Sequence, residues 1–206
     1  MFPPAPRLGE TVAAEAAAVA SAAASAESAR VLCEAADAGN LAELERRALD
    51  GGTNPNAMAT SKDTDGVEVE TTALVEASFN GELEVTALLL DSGAIPSKPD
   101  STGYTPLMAA ASNGHAAVVG LLLDRGANLN APSDSAGGTA FHCACSCNHP
   151  GCVEALVWAG CDTAAKDTAG QTGQQVAVAK GNTEVLDCLR DLVAARLGEA
   201  SREAAQ

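Results

Sequence analysis

The sequence predicts an all-α repeat solenoid of about five units, and three observations predict it. The first is a motif that returns every 33 or 34 residues. Thr105-Pro106-Leu107-Met108-Ala109-Ala110-Ala111, followed by Asn113-Gly114-His115, is its fullest copy. Thr72-Ala73-Leu74 with Asn80-Gly81 precedes it; Thr139-Ala140-Phe141-His142 with Asn148-His149, then Thr172-Gly173 with Gly181, follow it. The second is a leucine-rich marker in the same step: Leu88-Leu89-Leu90-Asp91-Ser92-Gly93-Ala94, Leu121-Leu122-Leu123-Asp124-Arg125-Gly126-Ala127, and Leu156-Val157-Trp158-Ala159-Gly160-Cys161. The third is composition: 2% aromatic residues suit a stack of Ala/Leu helices better than a globular enzyme core. Repetition at this period means that each unit buries its apolar face only on its neighbours.

Each element of a unit follows from residue chemistry. Thr105 is a good helix N-cap, and Pro106 suits the first helical position, where its missing N–H costs nothing. Leu107 and Ala110 share one face of a short helix, and the alanines around them keep it thin enough for close packing. Gly114 can adopt the left-handed conformation that ends this helix. Val118, Leu121 and Leu122 form the apolar stripe of a second helix, with Leu121 expected to fill the gap between units, and Gly126 closes it. The connection to the next unit is rich in Asn, Asp, Ser, Pro and Gly, the composition of a hairpin or extended turn. A unit is therefore helix, turn, helix and projecting finger.

The units run roughly 30–66, 67–99, 100–133, 134–166 and 167–199. The first lacks the Thr start and reads as an N-terminal cap. Gly39 and Gly81 are 42 residues apart, nine beyond the period, and the excess falls near the polar, acidic, finger-like stretch from Met58 to Glu70. The fifth carries Gln174 where its predecessors carry Leu74, Leu107 and Phe141, as a C-terminal cap with a polar outer face requires. Residues 1–29 are an Ala-rich segment expected to be flexible or loosely helical, and 200–206 a polar tail.

These residues resemble the ankyrin repeat family, from about residue 30 to 195, with the unit 100–133 close to the family pattern throughout. The resemblance implies helix-turn-helix units with β-hairpin or loop fingers, and a non-enzymatic protein-interaction module: scaffold, adaptor or inhibitory subunit.

Net charge is −15, unevenly spread: residues 60–100 hold nine acidic and two basic side chains, whereas 101–133 hold one of each. Such a field disfavours nucleic acid and anionic membranes as partners. Two readings of it stand, an acidic patch that steers a basic protein surface and plain solvated charge. Glu10, Glu15 and Glu27 with scarce Arg argue against a transit peptide, no signal sequence is visible, and no apolar run approaches about 18 residues. A soluble monomer, cytoplasmic with access to the nucleus, is expected.

One constellation invites metal or redox chemistry: His142, Cys143, Cys145, Cys147, His149 and Cys152. The repeat frame gives them other duties. His142 matches Met108, His149 matches His115 in a turn where it can bond a neighbouring backbone, and Cys145 replaces core Ala111. Helical steps of two residues place 143, 145 and 147 about 200° apart, so they do not converge on one ion; a pair such as Cys143 and Cys147 could meet, but four tetrahedral ligands are hard to assemble. Structural thiols are the favoured reading; a metal- or redox-sensing regulator built on this fourth unit is the alternative function. Seven cysteines, with Cys33, Cys161 and Cys188 scattered, fit a reducing compartment rather than a disulfide framework. No catalytic set, metal site or cofactor is expected, because no phosphate loop, nucleophile elbow or paired carboxylates appear.

In a stacked solenoid of this kind the first helices and fingers line one concave side. The variable positions there are Glu68, Glu70, Phe79, Asn80, Ser101, Thr102, Tyr104, Ser112, Asn113, Ser135, Ala136, Gly138, Ser146 and Cys147, the expected partner-binding residues. Tyr104 is expected at an exposed finger tip with no core duty, and Phe79 beside the acidic finger, either as contact or packed beneath it. A partner with a basic, partly apolar surface fits this set. Trp158 is expected on the convex side, covering a neighbour's aliphatic surface or making a secondary contact. Asn130 sits where ankyrin proteins can be hydroxylated, and also where an amide can brace the finger.

Overall fold

Two rows of helices stack side by side in the computed structural model, which describes residues 26–49, 53–62 and 68–203. A first helix, α1, covers 26–37, and α2 is Leu41–Leu49. Then come the strands β1 (Met58–Lys62) and β2 (Glu68–Thr72). Four more helix pairs follow: α3 (Ala73–Asn80) with α4 (Leu83–Asp91), α5 (Pro106–Ser112) with α6 (Ala116–Asp124), α7 (Ala140–Ser146) with α8 (Pro150–Trp158), and α9 (Gly173–Lys180) with α10 (Thr183–Glu203). Helices α3, α5, α7 and α9 touch in succession, as do α2, α4, α6, α8 and α10, so each pair packs on the pairs before and after it.

Local chemistry starts and stops these helices as expected. The Thr72, Thr105 and Thr172 side chains accept the N–H of Val75, Met108 and Gln175, and Gln175 returns the bond to the Thr172 N–H. Gly114, at φ 81°, ends the first helix of its unit, and the reason for glycine is double. A Cβ there would be strained, and it would lie 2.7 Å from Nδ1 of His149. The same turn in the fourth unit uses Asn148 at φ 60°, a residue that tolerates the left-handed region.

One continuous core runs through the stack, from Ala29 and Leu32 through Leu74, Leu107, Leu122, Phe141 and Leu156 to Val185 and Leu192. Leu122 is fully buried, whereas Leu121 is only half-buried, correcting the expectation that Leu121 fills the gap between units. Phe141 is accommodated by a small neighbour: a Cβ on Gly173 would lie 2.7 Å from its ring.

Two boundaries differ from the sequence reading. Helix is present from residue 26 and Ala29 is core, so the first unit reaches upstream of residue 30. At the other end α10 runs to Glu203, through the boundary set at 199. The rest of the N-terminal segment lies outside the described residues. Among the described residues one finger is a true hairpin, the antiparallel β1–β2 pair in register Met58↔Thr72 to Lys62↔Glu68; the others are hydrogen-bonded turns.

Candidate protein-binding face

The long first finger is the nine-residue excess made visible. Its second strand runs directly into α3, so Thr71 and Thr72 are buried while Glu68 and Glu70 stay exposed. Glu70 exchanges two bonds with the next finger, its carbonyl accepting from the Ser101 N–H at 2.8 Å and its N–H donating to Ser101 Oγ at 3.0 Å. The later fingers are joined likewise: Asn128 N–H donates to Ser97 Oγ, Asp162 N–H to Asn130 Oδ1, and the Thr168 N–H and hydroxyl to the Ala136 carbonyl. Asn130 thus braces its finger.

Between the hairpin, α1, α3 and the base of the next finger lies a cleft of about 450 Å³. Val69, Thr71 and Val75 supply apolar surface, Phe79 and Tyr104 the aromatic rings, and Ser61 and Thr102 hydroxyls. Asp37, Glu76 and Asp100 line it with carboxylates, and no described lining residue is a lysine or arginine. Burial pushes the Glu76 carboxyl above its usual range, and the Asp37 and Asp100 charges push the same way; hydroxyls of Ser61 and Thr71 hydrogen-bond to it and pull it back. Asp100 is committed to its own turn, its Oδ1 accepting from Thr102 and from the Tyr104 N–H. Asp37 accepts from Asn80 Nδ2 at 2.9 Å.

Tyr104 departs from expectation. It is half-buried against the core, and its hydroxyl donates to Ser112 Oγ at 2.7 Å, so it is not a free finger-tip anchor. Burial pushes its phenol far above the ordinary range. The backbone explains the misplacement: Gly103 at φ 79° turns the chain so that the next side chain points into the stack. Gly138 is also buried, its carbonyl taken by the Ser133 N–H.

The other named positions divide into two groups. Glu68, Glu70, Asn80, Ser101, Thr102, Ser135, Ala136 and Cys147 are exposed. Phe79, Ser112, Asn113 and Ser146 are half-buried; Asn113 Nδ2 donates to the Ala109 carbonyl and Ser146 Oγ accepts from Lys180. Phe79, Thr102 and Tyr104 meet at the cleft, Ser135 and Ala136 lie two fingers away from the hairpin, and Cys147 caps the end of α7. The sequence reading missed Asp37, Ser61, Val69, Thr71, Val75, Glu76 and Asp100, which come from three units; the acidic run over 60–100 was the available signal for Glu76 and Asp100.

The histidines and thiols have structural partners. Nε2 of His115 donates to the Phe79 carbonyl and Nε2 of His149 to the Ser112 carbonyl, both at 3.0 Å. His142 is buried, with Nδ1 bonded to Thr139 and Nε2 to the Gln171 carbonyl. Cys145 and Cys152 are fully buried, Cys143 is half-buried and Cys147 exposed. Burial raises the Cys145 thiol to about 12 and the Cys143 and Cys152 thiols to about 11. Among the described residues, no group of three or more His, Cys, Asp or Glu is placed to hold a metal ion. Trp158 is 51% exposed at the end of α8, on the second-helix row.

A family model for ankyrin repeats, in three copies, matches residues 32–133 and 74–167. The chain belongs to the ankyrin repeat family. Ankyrin repeats bind other proteins. The chain is also similar to the RelA-associated inhibitor of Mus musculus, 39% identical over 87 residues. That segment is 42% of this chain but 10% of the mouse protein, so the chain spans a small part of that relative's length. No helix among the described residues is long and apolar enough to cross a membrane.

Proposed function

We propose that this ankyrin domain is a non-enzymatic interaction module that holds a partner protein on the face formed by the first-helix row and the fingers. The observation that carries the reading is the enlarged first finger, which walls an acidic, partly aromatic cleft on that face. The finger's base joins the core through Ala59, while its second strand presents Glu68 and Glu70 to solvent on the side of Phe79. A basic, partly apolar protein surface complements this arrangement. The name of the mouse relative, an inhibitor associated with RelA, supports a regulatory role in which the module occupies its partner rather than transforming it.

Affinity capture from cell lysate tests this. Because Tyr104 is half-buried, the informative variant is Glu68→Lys with Glu70→Lys, two exposed positions. Capture should weaken while unfolding free energy moves by no more than about 0.5 kcal/mol. Trp158→Ala, on the second-helix row, should leave capture intact. Capture that survives the double charge reversal and is lost with Trp158→Ala puts the partner on the opposite face. Direct binding of purified RelA to the chain, or its absence, decides whether the likeness extends to that partner.

A further inference from the structure

We propose that the cleft under the first finger receives one arginine side chain, carried on an extended segment of the partner protein, with Glu76 as its charged anchor and Phe79 and Tyr104 as its walls. The proposal rests on the interaction reading above and names the chemistry of its central contact.

The cleft's size is the first reason. About 450 Å³ lies within the range of sites that take a small molecule, which is ample for one long side chain with its neighbouring backbone and too small for a folded element. Charge complementarity is the second. The described lining residues carry three carboxylates and no cation, so among them the carboxylates have no counter-ion. Asp37 and Asp100 each have one oxygen tied to neighbouring groups, Asp37 by Asn80 and Asp100 by its own turn, while Glu76 on α3 lies between Phe79 and the hairpin strands in the lining, the most central of the three. It is partly withdrawn from water, held by the Ser61 and Thr71 hydroxyls and repelled by the two aspartates. A cation entering the cleft relieves that repulsion and replaces the lost hydration.

The walls favour arginine over lysine. A guanidinium is planar, sheds water more readily than an ammonium, stacks on aromatic faces and meets a carboxylate with two parallel N–H groups. Phe79 and Tyr104 provide the rings, and the Tyr104–Ser112 bond fixes one of them in place before any ligand arrives. Beside the cleft, β2 contributes exposed Glu68 and Glu70, which suit further basic residues on an extended segment. The C-terminal groove between α9 and α10 is roomier but is lined mainly by aliphatic side chains, and nothing beside it indicates an occupant.

The test uses the full chain and three synthetic peptides in calorimetry: alternating glycine and arginine, the same with citrulline for arginine, and the same with lysine. The arginine peptide should bind, the citrulline peptide should lose about tenfold or more, and the lysine peptide should fall between them. Glu76→Gln should weaken the arginine peptide about tenfold, whereas Glu154→Gln, which removes the same charge from exposed α8, should not. Thr102→Arg, at an exposed rim position, should block the cleft, and its melting curve guards against misfolding. Equal losses from Glu76→Gln and Glu154→Gln, equal binding of arginine and lysine peptides, or no binding at all would each overturn the proposal. Partner capture that is lost with the Glu68 and Glu70 reversals while the peptides fail to bind sinks the arginine slot and spares the interaction face; capture insensitive to those reversals sinks both.

Discussion

The third and fourth units share one backbone plan and fill it differently, and the difference separates what the repeat needs from what it tolerates. Residues 100–133 use Met108, Ala111 and Gly114 where 134–166 use His142, Cys145 and Asn148. Met108 and His142 are both buried, Ala111 and Cys145 fully so. What stays constant is mechanical: a threonine at the helix start, a left-handed residue at its end, an imidazole reaching the neighbouring backbone, and one fully buried leucine, Leu122 or Leu156, in the second helix. Side chains elsewhere vary so long as polar ones find partners, as His142 does at both ring nitrogens.

Substitutions at matched positions can break or sharpen this comparison. Leu122→Ala and Leu156→Ala should each destabilise by about 2–5 kcal/mol, whereas half-buried Leu121→Ala should cost clearly less. Urea unfolding of the three variants checks it, and an equal loss at Leu121 would mean the two units do not share one frame. Gly114→Val should cost about 1–3 kcal/mol from positive φ, with the His149 contact adding to it. Asn148→Gly should stay within about 1 kcal/mol, since an easier φ offsets the lost bond from the Val185 N–H to Asn148 Oδ1.

Gly173→Ala should cost about 1–3 kcal/mol because its methyl meets the Phe141 ring. Phe141→Leu, which makes the fourth unit like the third at that position, should return part of the loss in a double-mutant cycle. A pH dependence is confined to alkaline solution. The Cys33 and Cys145 thiols are raised to about 12 from 9.0, so the folded chain holds protons that the unfolded chain releases. Their contribution is constant below about pH 9 and stability falls as pH rises toward about 12. Alkaline melting curves read it, and Cys33→Ala with Cys145→Ala should flatten the slope. In the native protein at neutral pH, a thiol reagent should reach exposed Cys147 before buried Cys145 or Cys152.

The fold was legible because its determinants are local. Thr caps, glycine ends and leucine triplets each act within a few residues, and the period repeats them until chance is excluded. The site was legible only in outline. Glu68, Glu70 and Phe79 could be placed from the register, but the cleft exists because Asp37 from one unit, Glu76 from the next and Asp100 from a third converge there. Tyr104 was misplaced since a left-handed Gly103 reverses which way the following side chain points. Leu121 and Leu122 are adjacent leucines, and only the real helix rotation distinguishes them.

The cross-unit bonds at the first-helix ends carry a polarity. Asn80 donates to the Asp37 carbonyl, His115 to Phe79, His149 to Ser112, and Asn182 to Cys145 and Ser146. In every case a side chain of the later unit latches onto the last carbonyls of the earlier helix. The latches all face one way, although the packing they accompany has no such direction. Peeling away the last unit therefore opens one set of carbonyls and leaves every earlier latch thrown, while peeling away the first strands only the amide of Asn80. Either terminal unit leaves by breaking a single latch, the last taking the donor with it and the first taking the acceptor.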